Sequence, residues 1–255
     1  MQGLSEQLLT EEEGDAVAVI RPTAASAVLL VCEHASRRLP QRFGDLGLSA
    51  EARASHIAWD PGALATAEIM ADNLDATLIH QRFSRLIYDC NRPPEAPGAM
   101  PETSEVYSIP GNQGIDAGER KARTEALYLP FHAKIAATIA ARQAGGQPTV
   151  LVTMHSFTPV YMGQRRDVEI GLLHDADSRL VDTMLAQVGD TYTVRRNEPY
   201  GPADGVTHTL VKHALPHGLL NVMIEVRNDL LTDKAGQEAM AGFLTGLLQQ
   251  SLAAL

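Results

Sequence analysis

The chain has 255 residues, 45% of them hydrophobic, enough to bury a substantial core in one large α/β domain or two small ones. With 31 acidic against 21 basic residues its formal net charge is −10, which argues against a nucleic-acid partner because such binding leans on basic patches. Small anionic substrates stay open, since a few local arginines reverse the field inside a cleft.

The two cysteines, Cys32 and Cys90, build neither a disulfide framework nor a cysteine-based zinc site and read as buried thiols. Residues 1–15 are polar and acidic and are expected to be flexible. They lack the basic start and apolar core of a signal peptide. No stretch reaches the roughly 18 apolar residues of a transmembrane helix. A cytoplasmic protein without a membrane partner is the expectation.

Val17 to Pro22 predicts a short leading strand, and Val28–Val31 the first strong one. Ser49 to His56 reads as a short helix capped by Ser49. Pro61 to Asp72 places Ala63, Ala67, Ile69 and Met70 at helical spacing, continued by Leu74, with Asp60 at its start. Thr77–His80 and Leu86–Asp89 predict strands, the second running into Cys90-Asn91-Arg92-Pro93. Pro93 to Gly118 is rich in Pro, Gly, Glu and Ser and predicts a long surface loop, a feature often used as a lid. Ala117 to Ala144 predicts a long helix around Leu127, Phe131, Ile135 and Ile139, kinked at Pro130.

Val150–Thr153 and Val168–Leu173 predict strands, Asp177 to Val188 a helix, and Tyr192–Val194 a short strand. Val206 to Ala214 reads as helical, Leu219–Ile224 as the last strong strand, and Gln237 to Leu255 as a terminal amphipathic helix. Strands alternating with helices imply an α/β fold: a single-domain three-layer αβα arrangement with a twisted, mostly parallel mixed sheet.

Three apolar runs end in ionisable residues. Val28–Val31 leads into Cys32-Glu33-His34, Val150–Thr153 into His155-Ser156, and Leu219–Ile224 into Glu225-Val226-Arg227. Ligands of open α/β sheets bind beyond the carboxyl ends of the strands. If these three share one sheet, two histidines and two glutamates meet on one rim. Imidazole with carboxylate suits zinc, and a further carboxylate supplies the base of a metal hydrolase.

His34 and His155 are therefore metal-ligand candidates, although a lone strand-end histidine is more often a hydrogen-bonded core residue. Glu33 is a ligand candidate or the partner that orients a histidine. Asp60 is the preferred third ligand, because alternation along a strand turns Glu33 away from His34; the bland reading of Asp60 is a helix N-cap. Glu225 is either a general base or half of a strand-end ion pair with Arg227, which shares its side of the strand. Arg85 and Arg92 offer guanidinium forks to a substrate carboxylate or to Asp89. Arg165-Arg166 and Thr207-His208-Thr209 are weaker candidates. Nucleotide-binding GxxxxGK[ST] and GxGxxG, the serine-hydrolase GxSxG and the zinc motif HExxH are all missing.

The segments Cys32-Glu33-His34-Ala35-Ser36 with Leu39-Pro40, Trp59-Asp60-Pro61-Gly62-Ala63, Ser84-Arg85-Leu86-Ile87-Tyr88-Asp89-Cys90-Asn91-Arg92-Pro93 and Met154-His155-Ser156-Phe157 together resemble the N-formylglutamate amidohydrolase family. The likeness runs from about Val28 to Asp229, and its strongest piece is Ser-Arg-…-Asp-x-Asn-Arg-Pro. The resemblance implies a fold similar to the zinc carboxypeptidases and aspartoacylases. It implies one divalent metal ion, Zn2+, and hydrolysis of a small-molecule N-acyl amino acid, typically N-formyl-L-glutamate to formate and L-glutamate. By motif position His34 and His155 are implied metal ligands, with Asp60 or Glu33 completing the set and Glu225 as the base. Arg85 and Arg92 serve the oxyanion or a substrate carboxylate. Asn91, Arg227, Thr207 and Thr209 complete the expected substrate contacts.

Overall fold

The structure is a computed structural model that describes residues 8–255. In chain order the strands are β1 (Val17–Ile20), β2 (Val28–Cys32), β3 (Thr77–Gln81), β4 (Thr103–Ser104), β5 (Tyr107–Ser108), β6 (Val150–Phe157), β7 (Val160–Tyr161), β8 (Gln164–Arg165), β9 (Ile170–Leu173), β10 (Val194–Arg196) and β11 (Asn221–Arg227). The helices are α1 (Ala50–Ala54), α2 (Ala63–Leu74), α3 (Ala117–Arg123), α4 (Leu129–Ala144), α5 (Arg179–Gln187), α6 (His208–His213) and α7 (Lys234–Ala253). Seven strands form one mixed sheet in the order β1-β3-β2-β6-β11-β9-β10. β3, β2, β6 and β11 run parallel, while β1 and β9 are each antiparallel to a neighbour. The α/β expectation and its mixed, mostly parallel sheet hold.

Alternation along the central strands divides the core between the two faces. Leu29, Val31, Leu151 and Met223 point to one side and pack with Phe131, Ile135 and Ile139 of α4 and Leu210 of α6. Val28, Leu30, Val152, Val222 and Ile224 point to the other and meet Ala67 and Met70 of α2, Val181 of α5 and Leu244 of α7. Strands buried on both faces must be continuously apolar, which is why these runs show no polar alternation in the sequence.

Several boundaries differ from the sequence reading, each for a local reason. The strand predicted at Leu86–Asp89 does not form. Ser84 Oγ instead accepts from the Leu86 amide (3.2 Å) and the Ile87 amide reaches the Ser84 carbonyl (3.0 Å), so the aliphatic pair belongs to a buried turn. The helix predicted over 117–144 is α3 and α4 joined by a π-turn at Thr124–Tyr128. Pro130 lies just beyond that turn; its ring crowds the carbonyl four residues back, and the wider turn accommodates it. The loop over 93–118 folds back as the β4–β5 hairpin and two 3-10 turns.

The strands carrying chemistry run further than their apolar cores suggest. β6 continues through His155 to Phe157, and β11 through Glu225 to Arg227. Of the stretch expected to be flexible, residues 1–7 lie outside the described residues, and residues 8–15 pack onto the domain. Glu13 is buried there and accepts hydrogen bonds from the amides of Thr10 (2.8 Å) and Gln41 (2.7 Å). Among the described residues no helix is long and apolar enough to cross a membrane.

Asp60 is not the side-chain cap of α2. Gly62 occupies that position with φ +78° and no side-chain cap bond, which leaves the Asp60 carboxylate free for other work. A Cβ on Gly62 would strike the Leu231 side chain and come within 2.8 Å of the Leu231 carbonyl oxygen. Gly62→Val is therefore expected to cost more than the ~1–3 kcal/mol of a left-handed non-glycine residue alone, read as a lowered urea midpoint. A midpoint unchanged from the parent would show that the α2 start can be rebuilt.

Candidate metal and catalytic site

β2, β6 and β11 are neighbours in the sheet, so their carboxyl ends bring His34, His155 and Glu225 together as expected. The register is close: Glu225 lies directly opposite His155 across the parallel β6–β11 ladder. Both side chains emerge on the same face as Leu151 and Met223, the α4–α6 side. β2 stops at Cys32, and the chain turns there. The alternation argument for Glu33 and His34 therefore does not continue past that point. The backbone amide of Asp60 donates to the His34 carbonyl at 2.9 Å, which straps the start of α2 to the end of β2.

His34 Nδ1, His155 Nδ1 and Asp60 Oδ2 converge. The two nitrogens are 3.2 Å apart and lie 3.2 and 2.9 Å from the oxygen, respectively. All three residues are buried, and the three form one group with metal-ligand spacing. The opposite ring nitrogens face carboxylates: His34 Nε2 stands 2.7 Å from Asp89 Oδ1, and His155 Nε2 stands 3.1 Å from Glu33 Oε2. A carboxylate on Nε2 keeps the proton there and leaves a bare lone pair on Nδ1. Two imidazole lone pairs and a carboxylate oxygen then point at one spot. A tetrahedral ion with bonds of about 2.0–2.1 Å separates its ligand atoms by about 3.3 Å, close to the spacing here. The donor set fits a divalent ion with a position left open.

Charge makes the same case. Glu33, Asp60, Asp89 and Glu225 are 1%, 3%, 2% and 4% exposed. The guanidinium that pairs with this group is Arg85, 2.5 Å from Asp89 Oδ2 and 3.4 Å from Asp60 Oδ1. Burial disfavours the charged form of both histidines. Even so, Asp89 and Asp60 outweigh burial and Arg85 at His34, and Glu33 and Asp60 outweigh burial at His155, so both imidazoles bind protons above their ordinary range. Burial also works against the Asp60 and Asp89 carboxylates, yet the histidines on Asp60, and Arg85 with His34 on Asp89, hold both below the usual range. Surroundings this rich in buried carboxylate call for a cation. Glu225 is the exception: burial, with Asp60 adding to it, pushes its carboxyl up to about 7. A bound dication would draw it back down.

A cavity of about 340 Å³ opens over this group, lined by His34, Asp60, Arg85, Asn91, Arg92 and Glu225 among others. Asn91 also braces its wall: its side-chain amide donates to the Val206 carbonyl, and its Oδ1 accepts from the Thr209 amide at 3.1 Å. Arg92 donates to the carbonyls of Asn91 (2.9 Å) and Gly205 (2.8 Å). Thr209 is buried behind Asn91, and the Thr207 hydroxyl donates to Asp175 at 2.6 Å; neither lines the cavity. Arg227 is also outside the lining. Its guanidinium contacts Asp229 (2.8 Å) and Glu169 (3.5 Å), and no ion pair joins it to Glu225 among the described residues.

Some participants escaped the sequence reading. Asp89, read there only as an arginine partner, also holds His34. Tyr200, His56 and Glu105 line the cavity although nothing in their local sequence marks them. Phe157 and Tyr161 follow His155 closely enough for the same strand-end rule to have found them.

A comparison with known families finds that the N-formylglutamate amidohydrolase profile matches residues 26–232. The chain belongs to the N-formylglutamate amidohydrolase family. A gene product of Agrobacterium tumefaciens with a solved crystal structure is similar at 60% identity, over 97% of this chain and 98% of that one, with a TM-score of 0.96. The N-formylglutamate amidohydrolase of Ralstonia eutropha shares 20% identity over 93% of this chain and 97% of its own, with a TM-score of 0.61, a likeness of fold. None of the curated proteins matches.

Two measurements follow from this geometry. Asp60→Asn is expected to lose divalent metal, whereas Glu33→Gln and Asp89→Asn weaken binding by about 10–100-fold, as loss of a carboxylate behind a ligating histidine does. Elemental analysis and metal titration of the purified variants check this; full occupancy in Asp60→Asn would remove Asp60 from the set.

The second concerns a histidine cluster of α4 and α6. His132 Nδ1 lies 2.8 Å from His213 Nε2, and His132 Nε2 donates to the Cys90 carbonyl at 2.9 Å. Burial, and then the neighbouring cations, push His132 down to about 3 and His208 and His213 to about 4, from 6.5. Protons therefore favour the unfolded chain, and the neutral cluster stabilises the fold above pH 6.5, losing that contribution as pH falls towards 4. Urea midpoints at pH 7 and 4.5 should fall further in the parent than in His213→Asn; equal slopes would sink the assignment.

Proposed function

We propose that the chain is a metal-dependent amidohydrolase that cleaves an N-acyl amino acid, with N-formyl-L-glutamate converted to formate and L-glutamate. The observation that carries this reading is the convergence of His34, Asp60 and His155 with Glu225 register-matched beside His155, at a cavity whose lining includes His34, Asp60 and Glu225. Nitrogen and oxygen donors with an open position suit zinc. Such an ion, held by His34, Asp60 and His155, would polarise the acyl carbonyl and make water a stronger acid.

Glu225 is the proton carrier. It takes a proton from the attacking water as the water oxygen bonds to the acyl carbon. It then gives that proton to the amide nitrogen as the carbon–nitrogen bond breaks, releasing the carboxylic acid and the free amine. Burial with no hydrogen-bond partner on Oε2 keeps this carboxylate from being spent on the scaffold. Arg85 is anchored by two carboxylates, which fixes its fork beside the reacting group; its task is to stabilise the charge that develops on the carbonyl oxygen. Arg92 lines the same cavity with no carboxylate partner among the described residues, and its task is the substrate's α-carboxylate.

The test is a screen of N-acyl amino acids for amine release, with metal content measured on the same preparation. Glu225→Gln should keep its metal and lose at least about 100-fold in kcat, the lower end of what positioned proton transfer contributes. An unchanged kcat with a lowered melting temperature would return Glu225 to the scaffold and leave the mechanism without its base.

A further inference from the structure

The basic side chains around the cavity fall into two groups. Arg85 is neutralised by Asp60 and Asp89, and His56 faces Glu105 at 2.9 Å. Arg227, just outside, is met by Glu169 and Asp229. Two guanidiniums beside the cavity have no carboxylate within ion-pair distance among the described residues: Arg92 and Arg166.

Arg166 follows β8 and is half-buried. Its guanidinium carbon lies 4.5 Å from the ring centre of Tyr161, 4.8 Å from that of Tyr200 and 5.5 Å from that of Phe157, and all three rings line the cavity. One further tie runs from its Nη1 to the Thr158 carbonyl at 3.4 Å. Its backbone is held too, since Arg227 donates to the carbonyls of Arg166 (3.3 Å) and Asp167 (3.4 Å). Aromatic faces hold a guanidinium in place while leaving its edge donors largely unsatisfied and its charge uncancelled. Glu105, a carboxylate of the cavity wall, does not quench it. Its Oε1 accepts from the Met162 amide at 3.1 Å and its Oε2 meets His56.

We propose that Arg166 is the specificity-determining residue of this site: its stacked, uncompensated guanidinium binds the side-chain carboxylate of an N-acyl dicarboxylic amino acid, while Arg92 takes the α-carboxylate. The ligand class rests on the amidohydrolase reading above. Two unpaired arginines, Arg92 in the cavity lining and Arg166 just outside it against three of its wall rings, match a substrate with two carboxylates. A neutral side chain would leave a half-buried cation without its partner. Arg227 is thereby a positioning residue, acting through the Arg166 backbone.

The experiment is equilibrium binding by calorimetry to the metal-loaded Glu225→Gln chain, which removes turnover from the readout. The ligands are N-formyl-L-glutamate and its neutral isostere N-formyl-L-glutamine. The parent is expected to favour the dicarboxylate by roughly 10–100-fold, the range of a charged hydrogen-bonded pair. Arg166→Met and Arg166→Gln should abolish that preference, Arg166→Lys should keep most of it, and Arg92→Met should weaken both ligands alike. A parent without preference, or a preference that survives in the Met or Gln variant, overturns the proposal whatever the other variants do. In the active chain the loss should appear in KM for N-formylglutamate and spare kcat, a split that general loosening of the fold would not produce. Absence of turnover in the wild-type chain with the binding preference intact would overturn the amidohydrolase reading and leave the role of Arg166 standing.

Discussion

Four carboxylates buried at one end of a sheet, with one guanidinium paired among them, are the constraint on which the rest of this structure depends. An uncompensated buried charge costs several kcal/mol, so the group persists only with cations to answer it. The carboxylates draw protons onto His34 and His155, and the same cluster would accept a dication. Glu33 shows the strain most clearly: it is 1% exposed, and His155 is its ion-pair contact. Its placement suits the anchor of an imidazole whose other nitrogen faces His34 and Asp60.

The scaffold is arranged to hold that group still. β6 and β11 present His155 and Glu225 in register, and the bond from the Asp60 amide to the His34 carbonyl ties the remaining ligands together. Behind them, the Arg85–Pro93 segment is pinned from several directions. Asn91 reaches the Val206 carbonyl and the Thr209 amide, His132 reaches the Cys90 carbonyl, and Ser84 donates to the Ala58 carbonyl at 2.7 Å. This irregular segment carries Arg85, Asp89, Asn91 and Arg92 together. In a strand Arg85, Asp89 and Asn91 would share one face and Arg92 would point to the other; the irregular segment lets Arg92 line the same cavity as Arg85 and Asn91.

The mouth of the cavity has different physics. There the chain forms short ribbons, β4–β5 and β7–β8, whose tips expose Val106 and Met162 at 72% and 58%. Glu105 bridges them to His56, and the aromatic trio around Arg166 lies on the β7–β8 side. His155 and Glu225 thus sit on the central sheet, while Glu105, Tyr161 and Arg166 sit in or beside the short ribbons. Loop-borne groups of this kind can vary without disturbing a cluster held by the sheet.

Much of the site was legible in the sequence because strand ends have a chemical signature: His34, His155 and Glu225 each follow a fully buried aliphatic run, and sheet topology makes such ends converge. Strand alternation prefers Asp60 over Glu33, an argument that lapses where β2 ends at Cys32, and the spacing of Asp60 before a helix by itself favours a cap. Only Gly62 taking the cap position, with Leu231 packed against it, freed the carboxylate. Leu86-Ile87-Tyr88 read as a strand because hydrophobic runs of that length report burial and not backbone shape. What the sequence by itself determined is the α/β class, the strand ends where chemistry gathers and the residue types available there. Only the tertiary structure decided the pairing: Glu33 on His155, Asp89 on His34, Arg227 on the backbone of Arg166, and Arg166 among three rings. Those contacts join positions far apart in the chain, and sheet order, register and loop packing select them through burial energies that no local spacing encodes.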